Sequence, residues 1–136
     1  MKLFFTIDVH LTGFTQIKNQ KITINFINFD GTCNTPFFNG SIIDGGVDTQ
    51  KYEEGKDGTL SARYILKGTD KNGKDTLIFI ENNGFCKSDG TITTTPFITS
   101  DNEELNQLFE GKFSGKVVPQ ETPEHDRVLI EIYKED

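Results

Sequence analysis

The sequence predicts an all-β protein, a single antiparallel β-barrel of about nine or ten strands with one short helix, occupying residues 1–136 as one domain. Three observations lead there. Asn-Gly or Asp-Gly recurs at 30–31, 39–40, 44–45, 57–58, 72–73, 83–84 and 89–90. Such dipeptides accept the positive φ angles of tight hairpin turns. Period-two runs of apolar residues lie between them, and only one stretch has a helical pattern. A barrel is preferred to a sandwich because a meander of hairpins closes on itself and closure removes exposed edges.

The first strand is expected over 2–10, and KITINF, 21–26, is the next, with Ile22, Ile24 and Phe26 sharing one face. The phase slips at Phe26-Ile27, which predicts a bulge. Strands over 36–43 and 47–53 flank Gly45-Gly46, a pair that permits a sharp reversal or the close approach of another backbone. In TLSARYILKG, 59–68, Leu60, Ala62, Tyr64 and Leu66 form one face, opposite Ser61, Arg63, Ile65 and Lys67. DTLIFIENN, 75–83, is apolar on both faces as far as Glu81, which predicts burial on both sides. Further strands are expected over 91–99, 111–118 and 127–134. DNEELNQLFE, 101–110, reads as the helix, capped by Asp101 or Ser100, with Leu105, Leu108 and Phe109 on its apolar face. VVPQETPEHDR, 117–127, is a polar surface loop.

Composition excludes several functions. With a formal net charge of −7 and no basic cluster, the chain has nothing to neutralise nucleic-acid phosphates or an anionic membrane surface. No window reaches the roughly 18 to 20 apolar residues of a membrane span. Asp8 and His10 interrupt the apolar N-terminal run MKLFFTIDVHL too early for a signal peptide, so a cytoplasmic protein is expected. Cys33 and Cys86 lack metal-type spacing and are expected as free thiols. Twelve Phe and no Trp suit a core or an apolar pocket. The oligomeric state is not legible.

No phosphate loop, dinucleotide fingerprint, zinc-protease helix or nucleophile elbow is present, so neither a metal nor a cofactor is expected. His10 shares a strand face with Asp8 but lies near a strand end, and His125 sits in the polar loop, so both read as solvated. KYEEGKDG, 51–58, and TDKNGKD, 69–75, read as charged turns, the second a poor imitation of a calcium loop. Asp48 and Arg63 remain, each inside a predicted strand among apolar or aromatic neighbours. Alternation alone puts Arg63 on the outer face beside Ser61 and Lys67, and Asp48 beside a turn.

FFNGSIIDGGVD, GTLSARYILKGTD, IFIENNG and TTPFITSDNEELN follow one another in an order and spacing that resemble domain-of-unknown-function family 3237, also called uncharacterised protein family 0311. The resemblance covers roughly residues 21–117, and Gly-Gly-x-Asp followed by Ala-Arg-Tyr is its most specific part. It implies a small β-barrel, with Asp48 and Arg63 as motif positions, Tyr64 beside them, and Asn82 or Asn83 on the neighbouring strand. The chain departs from the family pattern at Thr49 and Glu104, where relatives often carry aromatics.

Three readings follow. The first is a barrel that binds a small, partly aromatic or acyl molecule, in which Asp48, Arg63, Tyr64 and Asn82 contact the ligand, Arg63 anchoring an anionic or carbonyl oxygen. The second is an enzyme acting on a small carbonyl or lactone substrate, with Asp48 as general acid or base and Arg63 stabilising an oxyanion. The third is a structural or oligomerising protein in which a buried Asp48–Arg63 pair specifies the fold.

Overall fold

Alternating sequence and tight turns generate nine strands and one helix in the computed structural model, which describes residues 1–136. The strands are β1 (Lys2–Lys18), β2 (Ile22–Asn34), β3 (Phe38–Ile42), β4 (Val47–Glu53), β5 (Gly58–Asp70), β6 (Asp75–Cys86), β7 (Ile92–Ser100), β8 (Phe113–Pro119) and β9 (Arg127–Lys134). Helix α1 (Glu103–Leu108) connects β7 to β8. All pairings are antiparallel, and β9 returns to β1, closing the barrel. No helix is long and apolar enough to cross a membrane.

One position in the ring is shared. β3 and β4 both lie between β2 and β5: β3 covers Thr32–Asn34 of β2, and β4 covers Ile22–Asn28. They run in the same direction, so Gly45-Gly46 does not reverse the chain. It interrupts one strand line, and Phe29 N–H donating to the Gly46 carbonyl (3.1 Å) and Ile43 N–H to the Ile65 carbonyl (3.0 Å) bridge the gap. A Cβ at Gly46 would come 2.8 Å from the Phe29 carbonyl oxygen, so close backbone approach is what Gly46 serves, whereas Gly45, in open space, supplies a φ of 111°.

The seven glycine dipeptides therefore divide by role. Those at 72–73 and 89–90 form hairpin turns, with Gly73 and Gly90 at positive φ. Gly31, Gly40 and Gly84 lie inside strands, where a Cβ would overlap the carbonyl oxygens of Asp8, Lys67 and Thr93 on the neighbouring strands.

The core occupies the α1 end of the barrel. Ile7, Phe38, Leu66, Ile80 and Ile132 are fully buried there, and burying a side chain of this size contributes about 1.5–3 kcal/mol. Phe4, Phe5, Phe37, Phe109 and Phe113 form an aromatic cluster, with Phe4 stacked on Phe37 at 5.3 Å. Asn102, not Asp101 or Ser100, caps α1: its Oδ1 accepts from Glu104 and Leu105 N–H. Its Nδ2 donates to Asp70 Oδ2 (3.0 Å) and Thr76 Oγ1 (3.1 Å), tying the helix to β5 and β6.

Two expectations about faces change. No bulge occurs at Phe26-Ile27; the irregularity lies in β1, between Leu11 and Gly13. Register turns Ile27 and Phe29 inward and leaves Ile22, Ile24 and Phe26 on the outer face, where Phe26 is exposed. β6 is buried on one side only: Ile78 and Ile80 point into the core, whereas Leu77 is exposed.

Candidate functional site

The end of the barrel away from α1 is hollow. A cavity of about 160 Å³ has walls that include Leu11, Ile27, Phe29, Leu60, Ala62 and Ile130, and it approaches the surface beside the partly exposed Ile92. Of the twelve Phe, only Phe29 lines it. Into this apolar chamber project Asp48 and Gln50 from β4, Tyr64 from β5 and Asn82 from β6.

The strand ladders explain the convergence. Asp48 and Gln50 are two apart on β4 and so share a face, and Asp48 stands directly opposite Ala62 on β5. Ala62 in turn stands opposite Asn82, and Tyr64 follows Ala62 on the same face. Three adjacent strands thus bring their polar side chains to one chamber.

Arg63 goes the other way. It stands opposite Val47, one residue out of step with Asp48, and a one-residue offset sends a side chain to the opposite face of a sheet. It is exposed in a shallow outer depression with Thr49, Lys51, Ser61 and Asn83. The buried Asp48–Arg63 pair of the third, structural reading does not form, and Arg63 lies on the outer face, where alternation puts it. Asn83 also faces outward, donating to Glu81 (2.9 Å).

Hydrogen bonding within the chamber is incomplete. Gln50 Nε2 donates to Asp48 Oδ2 (2.9 Å), and Tyr52 OH donates to Gln50 Oε1 (3.0 Å). Asp48 Oδ1, Tyr64 OH and Asn82 Oδ1 are buried without a partner, as is Thr94 Oγ1 on β7, which does not line the cavity. Burial pushes the Asp48 carboxyl above its usual range, an effect the Gln50 hydrogen bond partly offsets. Burial also drives the Tyr64 phenol well above its ordinary value, with Cys33 adding in the same direction. Tyr64 therefore stays protonated and can both donate and accept.

Sequence reasoning missed Gln50, Thr94 and Gly115. Alternation from Asp48 was enough to locate Gln50. Thr94, within a run of three threonines, carried no distinguishing signal, and Gly115 matters only through its pairing with Thr94. Outside the barrel, His10 lies between two carboxylates, its Nδ1 3.2 Å from Asp30 Oδ1 and its Nε2 3.0 Å from Asp126 Oδ2. With Leu11 N–H donating to the Asp126 carbonyl (2.8 Å), this fastens the end of the 120–126 loop to β1.

A family model described as "Protein of unknown function (DUF3237)" matches residues 1–134. The chain belongs to this family. Its DUF3237 barrel is similar to a protein of unknown function from Clostridium acetobutylicum, at 22% identity and a TM-score of 0.78 over 99% of this chain and 98% of that one. A conserved protein of unknown function from Rhodopseudomonas palustris aligns with a TM-score of 0.76 at 18% identity, covering 98% and 95%. A structure described as an enzyme from Penicillium herquei aligns with a TM-score of 0.64 at 16% identity, covering 97% and 94%. At these identities the likeness to the three structures is one of fold. No curated protein matches the chain.

Proposed function

We propose that this DUF3237 protein binds a small molecule inside its barrel, with Asp48, Tyr64 and Asn82 contacting the ligand. One observation carries the reading: in an apolar cavity of about 160 Å³, each of these three side chains ends in a buried polar atom with no partner. Such atoms cost about 1–3 kcal/mol each when left unpaired, and a ligand that pairs them recovers that cost. Apolar walls with a few fixed polar groups are the common composition of small-molecule sites. The two unpaired cysteines fit a cytoplasmic setting.

Native mass spectrometry of freshly purified protein tests this, alongside Ala62→Leu, which fills the chamber opposite Asp48. The wild type is expected to retain or take up a small molecule that the variant does not. Equal occupancy in both would overturn the reading.

A second reading, an enzyme using Asp48 as general acid or base, is favoured by the raised pKa of that carboxyl. Arg63, on the outer face, is not placed to stabilise an oxyanion in the chamber, so Tyr64 O–H would take that part. Turnover of small lactones or ketones, abolished in Asp48→Asn, is the test.

A further inference from the structure

The polar fittings of the cavity also restrict what it can hold. No Lys, Arg or His lines it. Asn82 Oδ1 can only accept hydrogen bonds, as can Asp48 Oδ1 when ionised, whereas Tyr64 OH both donates and accepts. The volume, about 160 Å³, is close to that of an apolar cavity known to admit one benzene ring, about 150 Å³.

Resting on the binding reading above, we propose that the cavity selects an uncharged ring bearing hydroxyl groups and excludes carboxylates. A hydroxyl donates to Asn82 or Asp48 while its oxygen accepts from Tyr64, so one group satisfies both kinds of orphan. A carboxylate brings no donor, meets the Asp48 charge at short range, and finds no cation to compensate for its own desolvation. An ammonium can donate to Asp48, Asn82 Oδ1 and the Tyr64 oxygen but has no lone pair for the Tyr64 proton, and both ions would be desolvated in an apolar chamber. The apolar walls take the ring itself.

Four probes of one-ring size separate the outcomes by calorimetry or ligand-observed NMR at neutral pH: toluene, benzene-1,2-diol, benzoate and benzylamine. The diol is expected to bind at least tenfold more tightly than toluene, and benzoate and benzylamine more weakly than the diol. Asn82→Leu should bring diol affinity down about tenfold, towards that of toluene, while leaving toluene binding in place. Benzoate or benzylamine matching the diol, or toluene matching it, would overturn the inference and leave the binding reading standing. Failure of all four probes would count against both, and a co-purified ligand in native mass spectra would then restore the binding reading alone. Retention of diol affinity in Asn82→Leu would remove Asn82 from the argument and overturn the assignment.

Discussion

Gly115 on β8 leaves the space that Asn82 and Thr94 occupy: a Cβ there would lie 3.1 Å from Asn82 Nδ2 and 3.3 Å from its Oδ1, and would overlap Thr94 Oγ1. Gly115→Ala is therefore expected to destabilise the barrel by about 1–3 kcal/mol through overpacking. Adding Thr94→Ala removes the obstructing hydroxyl and should recover most of that loss. Denaturant unfolding of the two single variants and the double variant checks the coupling; simple additivity would mean that the neighbours yield without strain.

Asp48 sets a pH dependence of definite sign. Its folded pKa lies above the unfolded value, so the native state holds the proton more strongly than the unfolded chain does. The contribution is fully present below the unfolded pKa and is lost as pH rises through the folded one. Asp48→Asn keeps an acceptor for Gln50 and removes the titration. The variant should gain on the wild type as pH rises from about 4 to neutrality, measured by urea unfolding across that range. A constant difference between the two proteins would show that Asp48 is not perturbed.

Asp70 behaves in the opposite sense. The Lys74 backbone N–H and the Asn102 amide hold its carboxyl below the usual range, so its contribution is present above the unfolded pKa and is lost as pH falls through the folded value. Asn102→Ala removes the cap of α1 and both donors to the Asp70–Thr76 pair, and should cost about 2–3 kcal/mol. Ligand binding should be unaffected, because this network lies at the end of the barrel away from the cavity.

The cysteines differ in reactivity. Cys33 is buried, its thiol donates to the Thr6 carbonyl at 3.5 Å, and burial pushes its pKa up to about 12. Cys86 is partly exposed. A thiol reagent at neutral pH should modify Cys86 in the native protein and reach Cys33 only on unfolding. Rapid modification of both would show that the barrel opens readily at β2.

Arg63→Ala should alter stability by less than about 0.5 kcal/mol and leave occupancy of the cavity unchanged. Loss of ligand in this variant would move the site to the outer depression.

Much of the barrel was legible because one strand property, alternation, decides both pairing and burial. It assigned Leu60, Ala62, Tyr64 and Leu66 to one face, which the structure places inside. At KITINF it grouped Ile22, Ile24 and Phe26 on one face, as the structure has them, but that apolar face is the outer one, and Asn25 shares the inner face with Ile27. Asp48 and Arg63 were legible as unusual residues but not as partners, since their relationship depends on β4–β5 register, and no local sequence encodes a one-residue offset.

The β7–β8 seam has a dynamic consequence. Its ladder consists of the single register pair Thr94↔Gly115, whereas β5 and β6 stay paired from Gly58↔Cys86 to Thr69↔Asp75. Local opening takes the route that breaks the fewest hydrogen bonds, so the wall should part first beside Asn82 and Thr94. A guest bonded to Asn82 on β6 and packed against Val117 on β8 would add contacts across the thinnest line of the wall, and its residence time would be tied to how often that line parts. Amide exchange near Thr94 and Gly115 would then slow on loading while exchange along β5 and β6 stayed as it was, so that the same segment acts as doorway when the chamber is empty and as latch when it is filled.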